Sequence, residues 1–380
     1  MFLIVKKWIV LTLKKFTPLI ARLLKVQILN KDQTLSFLKY AEINNYRRIS
    51  VELEPVEVFG DTNNSFWKKD IVRCSHSAVY CISGEELKVL PYGGIQKGSK
   101  VLDLDFGSLQ FMLSGFKMIK RKKKNVKNCI VLWSHNWGGY YDYLFFIYAK
   151  LLRIKEVMGE EEFKQSIVLY PLFGKSFERE LLKIAGLEEN QVYDVKNYTV
   201  EAVNYYFANN DSWFYPSIKD IKNLQKISLS LTTNKSSEHK RIYISRKHRR
   251  ILSNEAEIIK VLQDFDFQII KDEARTIKEQ MEIYSSAEIV LGPHGASFSN
   301  ILWCRPNTVL IELFSNQYYP PYFKYLANVL GLKYYAIIEN NVGVSDDAYS
   351  YKNIFISPEV IRSSLRKILL NQKVSPLKAL

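Results

Sequence analysis

The residues best placed to do chemistry lie in the run Ile289-Val290-Leu291-Gly292-Pro293-His294-Gly295-Ala296-Ser297-Phe298-Ser299-Asn300. Gly292 and Gly295 let the backbone approach a ligand closely, and Pro293 stiffens the turn between them. A helix opening at Ala296 and Ser297 would aim its first amides at an anion such as a pyrophosphate. His294 can donate to a phosphate or a sugar hydroxyl without carrying a fixed charge. Held between two glycines at a strand end it is a functional candidate, whereas a lone turn histidine is ordinarily not. A second group, Arg246, Lys247 and His248, follows the apolar run 241–245. Arg246 is the candidate for a charge-assisted contact to a diphosphate, with a solvent-facing basic loop as the alternative. Arg249 and Arg250 read as solvated. Glu312 could accept from two ribose hydroxyls, or cap or pair like an ordinary carboxylate.

These side chains need strand ends to hold them, and the C-terminal half supplies a regular series. Apolar runs at 241–245, 267–271, 288–291, 308–313 and 333–338 predict strands. Helical spacing predicts helices at 255–263, 276–286 and 323–330, with a short one from 297. Thr276 and Glu279 form a capping box, and Ser357-Pro358 opens a last helix to about 370. Strands alternating with helices make a doubly wound unit, whose ligands sit at the carboxyl ends of the strands. The N-terminal half shows the same alternation from 129 onward: strands at 129–133 and 167–172, helices at 140–157 and 177–185, the second closed by Gly186. Gly93 to Lys100 reads Gly-Ser-Lys where a phosphate loop needs Gly-Lys-Ser/Thr, so it is a plain turn. Four segments are expected: 1–30, a basic amphipathic helix; 31–235, an acceptor-side α/β domain; 236–345, a Rossmann-like domain; and 346–380, a C-terminal helix packing back on the N-terminal domain.

A chain of 380 residues with 47% apolar side chains has ample material for two cores. The net charge of +15 suits acidic partners: phosphate-bearing substrates, anionic membrane or nucleic acid. The lysine run at 117–127 reads as a solvated loop. In residues 2–29 the basic side chains gather on one helical face opposite Trp8, Phe16 and several leucines, with Pro18 kinking the helix. Such a helix lies on an anionic membrane surface or packs on the protein's own core. Charges recur too often for a spanning helix, and no signal peptide is evident. Cys74, Cys81, Cys129 and Cys304 show no metal-ligand spacing and suit a reducing cytoplasm.

The stretches ISRKHRR and IKEQMEIYSSAEIVLGPHGASFSNILWCRPNTVLIEL resemble the family 61 glycosyltransferases, sometimes described as capsular polysaccharide biosynthesis proteins. The matching residues are Arg246, Glu279 with Gln280, Gly292, His294, Gly295, Asn300 and Glu312. The resemblance implies a GT-B-like architecture, two Rossmann-like domains facing a cleft with the donor in the C-terminal one. It also implies inverting sugar transfer from a nucleoside diphosphate sugar without metal or other cofactor, Arg246, Lys247, Gly292, Gly295, Ala296, Ser297, Asn300 and Glu312 binding the donor. The acceptor would be a glycan or lipid-linked glycan of capsule, exopolysaccharide or lipopolysaccharide synthesis, made in the cytoplasm on the inner face of the membrane. Two features depart from the family. Gly-Ala-Gly reads Gly295-Ala296-Ser297, and an Asn-Tyr-x-His-Trp pattern reads Gly139-Tyr140-Tyr141-Asp142-Tyr143. Asp142 then becomes a candidate catalytic base beside His294, with His135 a second, or it is an N-terminal helix carboxylate favoured by the dipole. The competing reading is a polyanion- or nucleic-acid-binding protein without catalysis, although no recognition motif of that class is present. A hydrolase using Ser297 or Ser299 with His294 lacks the Gly-x-Ser-x-Gly elbow.

Overall fold

The computed structural model describes residues 19, 21–23, 25–46, 50–60, 69–72, 77–85, 87–104, 121–133, 138–210, 212, 214–231, 240–315, 318–339 and 353–373. The chain divides into two compact units, residues 1–49 with 74–227 and residues 50–73 with 228–380.

The first unit is built on six strands: β1 (Glu42–Tyr46), β2 (Ser77–Ser83), β3 (Lys122–Val131), β4 (Ile167–Tyr170), β5 (Val192–Asp194) and β6 (Tyr198–Ala208). Their order is β5-β4-β3-β6-β2-β1, with β3 to β6 mutually parallel and β2 antiparallel to both neighbours. Cys129, Ile130 and Val131 form an unbroken apolar run because that half of β3 is buried by a strand on each side. The preceding lysines, expected as a loop, are instead the exposed first half of β3, paired with β6. A helical stretch leaves β3 over 140–158, with one wide turn at Tyr143–Tyr148 before α1 (Ala149–Met158). α2 (Ser176–Ile184) joins β4 to β5, and α3 (Ile218–Leu231) follows β6. The chain moves outward from β3 through β4 to β5, then returns to the opposite flank of β3. That reversal opens a crevice at the carboxyl ends of β3 and β6. Arg153 on α1 is fully buried, its Nε 2.8 Å from Asp220 Oδ1. Its Nη2 donates to the Asn209 carbonyl at 3.0 Å and to Asn210 Oδ1 at 3.1 Å, fixing the loop that leaves β6.

The main sheet of the second unit is all parallel: β7 (Lys240–Ile244), β8 (Phe267–Ile270), β9 (Ala287–Pro293), β10 (Val309–Ser315) and β11 (Lys333–Glu339), in the order β8-β7-β9-β10-β11. The connecting helices are α4 (Glu255–Gln263), α5 (Ile277–Ser285) and α6 (Tyr322–Leu330). The Thr276–Glu279 capping box forms as expected, whereas Asn254 caps α4 without a side-chain bond. The sheet reverses direction between β7 and β9, so its crevice lies at those two carboxyl ends.

Three expectations about organisation change. Residues 50–73, assigned from sequence to the first domain, belong to the second unit, where Glu57–Gly60 adds a parallel edge strand to β11. The C-terminal helix α7 (Pro358–Lys373) does not return to the first unit. Its Ile361, Leu365 and Ile368 enter the same core as Leu291 and Ile311, because its apolar stripe matches that face of the sheet. Most of the N-terminal amphipathic helix lies outside the described residues. Its expected end is not helical: Lys25 takes φ 54°, and Gln27–Ile28 pairs with Lys100–Val101. The segment 93–100 is a hairpin turning at Gly98, not a phosphate loop. Among the described residues no helix is long and apolar enough to cross a membrane.

Arg153→Ala would leave Asp220 buried without its partner. Urea unfolding should show a loss of about 3–5 kcal/mol, and a loss under 1 kcal/mol would mean that the ion pair does not anchor the β6 loop.

Candidate functional site

In the second unit, the β7 and β9 strand ends deliver Arg246 and His294 to one place. Arg246 Nη1 donates to the His294 carbonyl oxygen at 2.5 Å. The guanidinium occupies the room that a side chain at Gly295 would need: a Cβ there would stand 1.2 Å from Nη1. Gly295 has an extended backbone, φ 172°, so space and not dihedral freedom requires glycine. Gly292 is similarly constrained, since a Cβ would meet the Ile244 carbonyl of β7 at 2.8 Å. Both glycines therefore accommodate the chain's own groups, where the sequence reading gave that room to a ligand. Burial, with Arg250 and Arg249 nearby, lowers the Arg246 guanidinium to about 10, and Asp272 is the carboxylate opposing that shift. It stays charged at neutral pH.

His294 is buried against Phe314, with ring centroids 5.4 Å apart, and is ringed by Tyr318, Tyr322 and Phe323. Its Nδ1 is hydrogen-bonded to Glu312 Oε1, and Glu312 Oε2 accepts from the Tyr334 hydroxyl at 2.6 Å. Glu312 is 0% exposed and bonded at both oxygens within the protein, so of the two sequence readings it takes the pairing carboxylate and not the ribose contact. Burial holds its carboxyl well above the usual carboxylate range. Burial, then Arg250 and Arg246, holds His294 well below the usual imidazole range. Both directions favour a neutral pair in which Glu312 donates to Nδ1 and the ring keeps its proton on Nε2. Nε2 has no hydrogen-bond partner among the described residues. His294 is thereby set up as an uncharged donor.

Asn300, expected at the donor, is buried instead. Its Nδ2 donates to Gln280 Oε1 at 2.6 Å, and its Oδ1 accepts from Trp303 at 3.2 Å. With Glu279 capping α5, the Glu-Gln pair and Asn300 brace the Ala296–Trp303 turn against that helix. Ala296 and Ser297 are half-buried at the start of this 3-10 turn, the Ser297 carbonyl accepting from Tyr284 at 3.0 Å. Ser299 Oγ is buried without a partner, so neither serine is joined to His294 as a nucleophile among the described residues. Lys247 is exposed, and its amide donates to Asp272 at 3.0 Å.

Sequence reasoning missed Arg250, Tyr334 and the aromatic ring around His294. Arg250 is half-buried at φ 58°, its Cζ 5.4 Å from the Tyr318 ring centroid. Burial lowers its guanidinium, and its charge reaches Glu312 and His294. The Tyr334 signal was available: in register it pairs with Leu310, so Tyr334 and Glu312 share a sheet face. Asp142 lies in the first unit, half-buried in the first helical turn after β3. His135 lies outside the described residues. A separate cavity of about 790 Å³ in the first unit, lined by Leu172, Arg179, Lys183 and Leu187 among others, contains none of the expected site residues. Among the described residues no group of three or more His, Cys, Asp or Glu stands where it could hold a metal ion.

A doubly wound parallel sheet with guanidinium groups and a neutral imidazole donor at its switch point defines an α/β protein suited to a phosphate-bearing ligand. Residues 125–311 match the family model described as Glycosyltransferase 61, and over that stretch the chain is a family 61 sequence, as the motifs indicated. It is 32% identical over 62 residues to a beta-1,2-xylosyltransferase of Arabidopsis thaliana, covering 16% of this chain and 12% of that protein. It is 33% identical over 61 residues to the beta-1,2-xylosyltransferase RCN11 of Oryza sativa subsp. japonica, covering 16% of this chain and 11% of that one. The matched stretch is thus about an eighth of the length of either relative.

The neutral pair has a pH signature. The unfolded Glu312 releases its proton above 4.5 while the folded one keeps it, so this group loses stability as pH rises. His294 acts oppositely below 6.5, where the unfolded ring takes up a proton that the folded ring refuses. The two slopes cancel between those values, and only the Glu312 loss, up to about 1.4 kcal/mol per pH unit, remains above. Glu312→Gln keeps a neutral partner that cannot ionise. Its melting temperature should therefore gain on the wild type from pH 6.5 to 8.5, whereas a difference that stays constant over that range would show that the folded pair holds no proton there.

Proposed function

We propose that the protein is an inverting glycosyltransferase that uses a nucleoside diphosphate sugar. The observation that carries this reading is the seating of Arg246 in the space left by Gly295, beside a neutral His294 donor. As the acceptor hydroxyl forms its bond to the anomeric carbon, the bond from that carbon to the diphosphate oxygen breaks and negative charge grows on the departing group. Guanidiniums at 246 and 250 and the Nε2 proton of His294 would meet that charge in a site of low polarity. A neutral donor serves departure of the diphosphate better than deprotonation of the acceptor, so the base is assigned elsewhere. Asp142 is our candidate: it would take the proton of the acceptor hydroxyl.

In this reading the second unit takes the donor and the first the acceptor, the division of labour of a GT-B-like enzyme. Two parallel-stranded sheets, each with its own switch point, support that assignment. The names of the two plant relatives favour a pentose as the transferred sugar. Net charge of +15 favours work beside an anionic surface, in line with a lipid-linked acceptor at the inner face of a membrane. Synthesis of capsule, exopolysaccharide or lipopolysaccharide is the setting we favour.

A thermal-shift panel of UDP, GDP, CDP, dTDP and their hexose and pentose conjugates tests the donor site. One nucleotide should stabilise the protein by about 2.7 kcal/mol at a hundredfold excess over its Kd. Arg246→Ala and His294→Ala should each lose most of that gain, and Arg246→Lys should recover little, because an ammonium lacks the planar fork. Stabilisation by no member of the panel, or equal stabilisation of both alanine variants, would overturn the reading. Salt-steep binding of DNA and heparin alike would then favour the polyanion binder. With the donor identified, Asp142→Asn should lower transfer about 10²–10⁴-fold while leaving the nucleotide shift intact. Transfer within threefold of wild type would remove Asp142 as base.

A further inference from the structure

With Glu312 bonded inside the sheet, the ribose of a bound nucleotide needs a different acceptor, and the next strand over supplies one. β8 lies beside β7 on the side away from β9. The two strands run in register to their ends, Ile244 beside Ile270, with the Ser245 amide donating to the Ile270 carbonyl at 3.0 Å. Arg246 and Asp272 each stand two residues beyond those ends, so a guanidinium and a carboxylate leave neighbouring strands side by side. Asp272 Oδ2 accepts the Lys247 amide at 3.0 Å, which fixes the carboxylate against the loop that carries Arg246. The side chain is exposed. Among the described residues its Oδ1 has no hydrogen-bond partner, and no ion pair joins Asp272 to a cation.

The loop that bears Asp272 is held from two directions. Arg275 Nη1 donates to the Lys271 carbonyl at 2.7 Å, spanning the turn between them. Gln280 Nε2 donates to the Arg275 carbonyl at 3.2 Å, while its Oε1 accepts from Asn300 at 2.6 Å. One side-chain amide therefore links the β8 loop to the turn that follows His294. A carboxylate is the wrong group to aim at a diphosphate, because like charges in a site of low polarity repel more strongly than in water. Asp272 nevertheless stands close enough for Arg246 to feel its charge, without being spent on an ion pair. An acceptor-only group with an open oxygen gains most from a neutral hydroxyl, and such charge-assisted bonds are short and strong. In dinucleotide-binding sheets an acid beyond the first strand-to-helix turn takes the ribose hydroxyl. Asp272 follows the second strand of its series, after the β7 turn and α4.

We infer that Asp272 accepts the 2′- and 3′-hydroxyls of the donor's ribose, so that the donor is a ribonucleoside diphosphate sugar and not a deoxyribonucleoside one. Its ligand is the nucleotide of the donor proposed above, and the contact rests on that reading. Asp272 touches no reacting atom; it sets which nucleotide is held.

The test is calorimetric titration of the full-length protein with UDP, GDP and CDP, with their 2′-deoxy and 2′,3′-dideoxy counterparts, and with inorganic pyrophosphate. Wild type should bind one ribonucleotide about 10–100-fold more tightly than its dideoxy counterpart, the worth of a hydrogen bond to a charged group. The 2′-deoxy form should fall between. Asp272→Asn keeps an acceptor for the Lys247 amide and loses the charge. It should bind that ribonucleotide about tenfold more weakly, yet bind pyrophosphate at least as tightly as wild type, since the repelling carboxylate is gone. Asp272→Ala should bind the ribo and dideoxy forms equally. A carboxylate that only braced its loop would, once changed to Asn, weaken pyrophosphate and every nucleotide alike, and that result would overturn the assignment. Equal binding of the ribo and dideoxy forms by wild type would overturn it as well, with the donor site left standing. Wild type that binds neither nucleotide nor pyrophosphate would instead remove the donor reading itself, and this contact with it.

Discussion

One steric and electrostatic arrangement governs the second unit: a guanidinium from the end of β7 fills the place of the side chain missing at Gly295, after the end of β9. It explains why glycine is needed where the dihedral angles would admit any residue. It also fixes the distance between two loops that leave the sheet in different directions. Arg246 spends one hydrogen bond on the His294 carbonyl to hold that position, and Arg250 comes close enough to lower it further. A half-buried group of positive charges with Asp272 as its opposing carboxylate favours an added anion, since each arginine then loses a repulsive neighbour's effect.

The same arrangement dictates the state of His294. Two guanidiniums nearby and an apolar cage make a charged imidazole unfavourable, so its partner must be one that can stay neutral. Glu312 meets that need only because burial raises its carboxyl and Tyr334 supplies the remaining hydrogen bond. The chain Tyr334–Glu312–His294 therefore orients a single N–H without adding charge. Such a group assists a departing diphosphate and is poorly suited to take a proton, which is why our reading divides acid and base work between residues of different units.

Much of this was legible in the sequence. In the second unit the strand and helix spacing marked every element of the parallel series from residue 240 onward, since strands covered on both faces leave unbroken apolar runs such as Ile289-Val290-Leu291. The juxtaposition of Arg246 and His294 followed from the rule for strand ends. What the sequence hid were the contacts between distant elements. Glu312 and Asn300 carry polar side chains that suggest a ligand, yet their partners Tyr334, Gln280 and Trp303 lie on other strands, helices and turns. A motif marks such residues without saying whether they touch a ligand or brace what does. Residues 50–73 escaped assignment for a related reason. Short edge strands carry little periodicity, and Glu57–Gly60 joins a sheet whose other strands begin at residue 240.

Both units obey one topological rule and furnish its crevice with opposite chemistry. Each sheet reverses direction once among its parallel strands, and each reversal leaves two loops with room between them. In the second unit those loops bring arginines and an imidazole donor, groups whose energy depends on meeting negative charge. In the first, the described residues bring a carboxylate and tyrosines and no guanidinium. A reaction that moves a sugar from an anionic leaving group to a neutral nucleophile needs one site of each kind. The buried polar networks follow the same division: Glu312 holds the histidine of the second unit, and Arg153 holds Asn209 and Asn210 where the chain leaves β6. In each case a costly buried polar group is kept where it fixes a part of the chain that the core itself does not require.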